Sequence, residues 1–349
     1  MTGQGKKIAL VLLVDWQLGP VKFWLQEKLG NEGFEVSIIG IPNYSMRNRT
    51  VKWRKLILWW QYFRLGKEGA RLARQLDGIV VGWNFIAGAF AALFMPRKSK
   101  RVISLNMIAH DKGVVNHFLR SWIYNRGFSA ERMIATVNSE ELRDLYLKSF
   151  KIRPDQLYVL HDCWAPTYEQ RKPSVEGEDY VFSGGEAARD WDSLLKVARK
   201  LSEVKFEVVA RKMNWPSNRD VPPNVQVFFD LDETSFYAMV KKSRLVLLPL
   251  KGKVTAGLIV LIRAILLGKL VVTTDVAATK SYYPECATDL LVPEGDPMKL
   301  SLVTQRYYSN TDLRIDKAFA VQNFTLANHS PEAFARRVGE LVQMISKAS

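Results

Sequence analysis

A glycine pair, Gly184-Gly185, closes an apolar run, and Arg189 stands four residues further on. Without a Cβ, these glycines would let backbone amides approach a ligand closely, and the arginine adds a full charge. A further glycine, Gly257, directly precedes the apolar stretch LIVLIRAILL. A helix starting there would aim its free amides at an anion. These residues point to phosphate binding, although the glycine pair alone would equally serve a strand-to-helix turn. Arg211 and Lys212 follow another apolar run and would either face the ligand or sit in a solvated loop. In the other half, His110 and Asp111 follow RVISLNMI, and Asp15 and Gly19 follow IALVLLV. His110 would act on a ligand or pack against backbone, and Asp15 and Asp111 would act or merely cap helices. No carboxylate pair has the ordering of a hydrolase. Asp230-Leu231-Asp232 reads as a helix start, so no metal ligand is assigned.

The elements that must position these residues alternate strand and helix. KIALVLLV, FEVSIIGI, GIVVGW, RVISLNMI, RMIATVN and LYVLHD read as strands with helical patterns between most of them. Their continuous apolar runs fit strands buried on both faces of a parallel sheet. The polar stretch Cys163–Asp179 reads as a linker. The rhythm then restarts with DYVFSGG, KFEVVAR, NVQVFFD, RLVLLPL and KLVVTTD as strands. Helices are expected over Asp192–Leu201, Glu233–Lys242, Leu258–Leu267 and Pro331–Lys347. The fold class is therefore α/β, with two Rossmann-like doubly wound domains facing a cleft. The expected boundaries are 1–165, 166–330 and a C-terminal helix over 331–349 at the domain junction.

Composition narrows the function classes. The 349 residues suffice for two domains, and 48% hydrophobic with 24% charged content is that of a soluble globular protein. Two cysteines make neither a disulfide framework nor a zinc site, so a reducing cytosol is expected. Residues 1–167 hold 25 Lys/Arg against 13 Asp/Glu, whereas 168–349 hold 25 against 22. The first half therefore suits a polyanionic partner, either nucleic acid or an acidic membrane. The uncharged segment Gly78–Pro96 reads as a buried strand and a small-residue helix rather than a membrane span.

Several segments resemble a known family. Gly257–Val276, LLVPEGDPMKL, NVQVFFDLDETSFYAMVKKSRLVLLPL and VFSGGEAARDWDSLL are similar, in that order, to the donor-binding domain of GT-B glycosyltransferases, especially retaining family 4. His110-Asp111 and VNSEELRDLY resemble its acceptor domain. The resemblance covers most of the chain. It implies a transferase taking a sugar from a nucleotide-sugar donor, with retention of configuration and neither metal nor cofactor. His110 and Arg189 would be the catalytic residues. Gly184, Gly185, Arg211, Lys212, Thr255, Gly257 and Arg263 would line the donor site. Asp15, Gly19 and Asp111 would stand on the acceptor side.

The departure from the family lies at Thr255 and Arg263, where relatives carry two acidic residues. The second of those acids holds the ribose hydroxyls, and an arginine has no acceptor atom. Arg263 is also the only polar side chain in its helix, so it needs a partner, either a structural carboxylate or a ligand phosphate. Two alternatives to an active transferase therefore stand: a non-catalytic scaffold of the same shape, and a sugar-nucleotide 2-epimerase.

KWRKLILWWQYFRLGK, residues 52–67, contains three tryptophans, five basic residues and no acid. On a helix, Trp53, Leu56, Ile57, Trp60 and Phe63 form one apolar stripe and Leu58 and Leu65 another. One would pack on the N-terminal domain and the other would stay near the surface. Trp53, Arg54, Trp59, Trp60 and Arg64 would contact an anionic headgroup region. Lacking any nucleic-acid-binding signature, the chain is expected to be cytoplasmic and peripheral at the inner face of the cell membrane. It would there glycosylate a lipid-linked or oligosaccharide acceptor in bacterial or archaeal surface polysaccharide or glycolipid assembly.

Overall fold

The computed structural model describes residues 7–15, 23–41, 54–107, 114–186, 188–215, 220–252, 257–276 and 279–347, with 54–55 and 114–120 described by backbone alone. The chain divides into two units, 1–162 with 331–349, and 163–330.

The first unit runs β1 (Ala9–Leu13), α1 (Trp24–Asn31), β2 (Glu35–Ile39), α2 (Arg54–Gln75), β3 (Ile79–Gly82), α3 (Phe85–Phe94), β4 (Val102–Ser104), α4 (Val114–Ser129), β5 (Met133–Val137), α5 (Glu140–Ser149) and β6 (Leu157–Val159). Its strands form one parallel sheet in the order β2-β1-β3-β4-β5-β6. Burial explains the apolar runs: Leu10 to Leu13 are wholly inaccessible.

The uncharged segment folds as the strand β3 and the helix α3. Asn84 caps α3, its side-chain oxygen accepting from the amides of Ile86 and Ala87. The small residues of α3 let α2 approach closely. A Cβ at Gly66 of α2 would stand 2.7 Å from the Ala91 amide nitrogen.

This contact decides which stripe of α2 turns inward. Tyr62 and Leu65 are buried, and Leu58, Trp59 and Phe63 pack against the same core. Trp59, expected at a membrane, is half-buried and meets Phe90 of the core edge-on at 5.7 Å. Leu56 (61% exposed), Ile57 (47%) and Trp60 (60%) face outward. Phe63, grouped with them in the sequence reading, is half-buried against Phe90 and Phe94. Arg64 is exposed, Arg54 is described by its backbone alone, and Trp53 lies outside the described residues.

The second unit runs β7 (Glu178–Gly184), α6 (Trp191–Lys200), β8 (Lys205–Ala210), β9 (Val225–Phe229), α7 (Glu233–Lys242), β10 (Ser243–Leu248), α8 (Leu258–Leu266), β11 (Val271–Asp275), β12 (Leu291–Pro293), α9 (Pro297–Ser309) and α10 (Thr311–Asn328). Its sheet is parallel in the order β12-β11-β10-β7-β8-β9. Asp232 caps α7 by accepting from the Ser235 amide at 2.9 Å, the helix-start role expected for the Asp-Leu-Asp triplet.

The last helix, α11 (Pro331–Lys347), belongs to the first unit. Its Phe334 ring meets Trp24 and Trp83, each with centroids 5.9 Å apart, and Glu332 pairs with Lys28 at 2.6 Å. Among the described residues, no helix is long and apolar enough to cross a membrane.

Candidate functional site

In an open parallel sheet, a ligand crevice forms at the carboxyl ends of the strands where their order reverses. In the second unit that point lies between β7 and β10. Gly184 ends β7, and Gly185 follows with φ +122°. Gly257, with φ +95°, precedes the first residue of α8. Both are left-handed positions that favour glycine.

Arg189 fills the space between these glycines. Its Nε donates to the Gly184 carbonyl at 2.7 Å, and its backbone bridges to Leu250 just after β10. A Cβ at Gly185 or at Gly257 would collide with its guanidinium. The loop is laced to the end of β10 by Asp190 N–H to Pro249 carbonyl and Lys251 N–H to Ala188 carbonyl, both 2.9 Å. Arg189 is only 5% exposed. Burial lowers its pKa to about 10, which leaves it cationic at neutral pH. Gly184, Gly185, Arg189, Gly257 and the amino end of α8 are thus brought together, as a phosphate site requires.

Gly185 also borders a cavity of about 460 Å³, within the range of small-molecule sites. Its walls come from the ends of β7, β8 and β9, from the segment before β7 through Tyr168, and from α7 and α8. Arg211 lines it but is engaged by Glu186 at 2.5 Å and Asp230 at 3.6 Å. Lys212 opens the exposed turn Lys212–Asn214.

Arg263 lines the cavity too, and its partner is a carboxylate of the protein, Glu233. Its guanidinium also lies over two rings, 3.4 Å from the Tyr237 centroid and 4.4 Å from that of Tyr168. Each such contact contributes roughly 0.5–2 kcal/mol, more when desolvated. Burial raises the Tyr237 hydroxyl to about 12 and moves Tyr168 in the same direction, so both rings remain neutral.

In the first unit the strand order reverses between β1 and β3. Asp15 follows β1 at that point, where Asn84 Nδ2 donates to its Oδ2 at 2.7 Å. A second polar group stands beyond β4, β5 and β6. The amides of Asn106 and Asn138 both bond Asp162, the latter at 3.0 Å, and burial raises the Asp162 carboxyl pKa. Gly19, His110, Asp111 and Thr255 lie outside the described residues.

Sequence reasoning missed Glu233, Tyr168, Tyr237, Asn106, Asn138 and Asp162. For Glu233 a signal existed: the lone charge of Arg263 in LIVLIRAILL required a partner. Nothing in the sequence marked which of its many carboxylates that was.

No protein-family model matches the chain, and no curated protein sequence matches it. Solved structures do. A sucrose-phosphate synthase from Thermosynechococcus elongatus superposes with a TM-score of 0.67 at 13% identity, covering 98% of this chain and 100% of that one. WaaG, a glycosyltransferase involved in lipopolysaccharide biosynthesis, gives 0.58 at 15% identity over 95% and 99%. Anabaena HepE in complex with UDP-glucose gives 0.61 at 11% identity over 97% and 100%. At these identities the likeness shows the fold, two Rossmann-like domains of the GT-B type.

Proposed function

We propose that this chain is a GT-B glycosyltransferase that moves a sugar from a nucleotide-sugar donor to a glycan acceptor. The observation that carries the reading is the meeting of Gly185, Arg189 and Gly257 at the amino end of α8, beside the cavity. Such a site holds a diphosphate by the first-turn amides of α8, one buried cation and the helix dipole, the Gly185 amide itself donating to the Val209 carbonyl at 3.2 Å. In the reaction, the bond from the anomeric carbon to the diphosphate oxygen breaks. A bond from that carbon to the acceptor oxygen forms, and the acceptor proton passes to the departing phosphate. Charge growing on the diphosphate is stabilised where the donors already point at it. Retention of configuration, a role for His110 against the donor sugar, and independence of metal and cofactor are parts of this reading that rest on the family resemblance. HepE, solved with UDP-glucose, supports a UDP-sugar as the first donor to try.

The acceptor side is assigned to the first unit, with Asp15 at its switch point. A lipid-linked acceptor at the inner face of the cell membrane suits the basic excess of this half and the outward Leu56, Ile57 and Trp60. WaaG, named for lipopolysaccharide biosynthesis, supports a place in surface glycan assembly.

A panel of UDP-, GDP- and ADP-sugars tests the proposal by thermal shift and by release of the nucleoside diphosphate, with and without EDTA. Binding of one donor class and EDTA-insensitive turnover are expected. Absence of binding across the panel would favour the scaffold reading, to which the replacement of an acidic residue by Arg263 also points.

A further inference from the structure

We infer that Glu233 is the carboxylate that accepts the ribose hydroxyls of the bound nucleotide, and that Arg263 positions it. This rests on the donor-binding reading and specifies what the cavity holds.

The cavity differs chemically from the anion site that adjoins it at Gly185 and Ile259. The anion site at Gly185, Arg189 and the start of α8 is cationic. Away from it, both arginines are already engaged by carboxylates, Arg211 by Glu186 and Asp230, and Arg263 by Glu233. A phosphate placed there would meet three carboxylates. A neutral group rich in hydroxyls would instead meet acceptors. A nucleoside diphosphate docked by its phosphates therefore turns its ribose and base into the cavity.

Glu233 is placed for the ribose. It begins α7 and lines the cavity in contact with Arg263, which stands five residues along α8 from Leu258. Five residues of helix span about 7.5 Å, the order of distance from a docked diphosphate to its ribose. A carboxylate has two oxygens and about four lone-pair sites. Glu233 can thus keep its ion pair with Arg263 and still accept hydrogen bonds from two hydroxyls. Its side chain is 73% exposed, whereas that of Arg263 is 18% exposed and lies against two tyrosine rings. The guanidinium is the fixed member of the pair and the carboxylate the accessible one. Arg263 itself has no acceptor to offer a diol.

The test compares UDP, GDP and ADP with their 2′-deoxy counterparts by calorimetry on the full chain. The wild type should bind its preferred ribonucleotide about tenfold more tightly than the deoxy form. Glu233→Ala should bring that ratio below twofold, and Arg263→Met should reduce it without touching the ligand. Glu233→Ala also takes the ion pair from Arg263, so the reading is the ribo-to-deoxy ratio, which a fall in stability alone would leave unchanged. A ratio unchanged in Glu233→Ala, or a wild type indifferent to the 2′-hydroxyl, would overturn the assignment while leaving nucleotide binding intact. A wild type that binds none of these nucleotides would overturn the donor-site reading as well.

Discussion

At the scale of single residues, Arg189 and its two glycines act as one object. Gly257→Ala would put a Cβ both into a left-handed backbone position and into the guanidinium of Arg189. The strain costs about 1–3 kcal/mol, and the arginine must shift. Thermal unfolding should register the first effect and weaker nucleotide-sugar affinity the second. Arg189→Met should lower kcat on the order of 10², the usual loss when one stabilising donor is removed from a developing anion. Lys269 offers a contrast, being buried for structure. Its Nζ donates to the Ser243 carbonyl at 2.8 Å, and burial lowers its pKa from 10.5 to about 8. The unfolded chain therefore binds this proton more tightly than the folded one between these values. Stability should rise with pH from about 8 to 10, and Lys269→Met should flatten that rise in urea titrations at graded pH.

At the scale of elements, legibility in the sequence followed locality. Each of the two glycine loops is a strand, a glycine and a helix start in succession, so the placement of Gly184, Gly185, Arg189 and Gly257 could be read directly. Pairs between distant elements could not: Glu233 meets Arg263 thirty residues away, and Asn84 reaches Asp15 across 69. The heptad-like spacing of α2 revealed two apolar sides, but only the small residues of α3 decide which one is covered. Trp59 and Trp60 are neighbours in sequence with opposite fates for that reason. Phe334, which is 2% exposed, is the aromatic member of the buried face that α11 turns to the first unit, beside Val338 and Val342. Phe334→Ala should cost about 3–5 kcal/mol. Hydrogen exchange should quicken in β1 and β3 and stay unchanged in β7 to β12.

At the scale of the whole molecule, charge is distributed by half, with the basic excess in residues 1–167. Each positive charge near an anionic leaflet contributes about 1 kcal/mol, so several acting together would suffice for the proposed reversible attachment. Paired Leu56→Ser and Trp60→Ser substitutions should release the protein from phosphatidylserine vesicles in co-sedimentation and leave its melting temperature unchanged. Trp59→Ala should do the reverse. Binding to neutral vesicles as strong as to anionic ones would argue against the electrostatic attachment. The return of α11 to the first unit has a consequence for biosynthesis. The unit whose strands leave the ribosome first is completed last, because residues 163–330 must be made before its final helix. At about 5–20 residues per second, the wait is on the order of ten to thirty seconds. Through that interval the apolar ground around Trp24 and Trp83 stands without its cover, and a nascent-chain chaperone would find its target there.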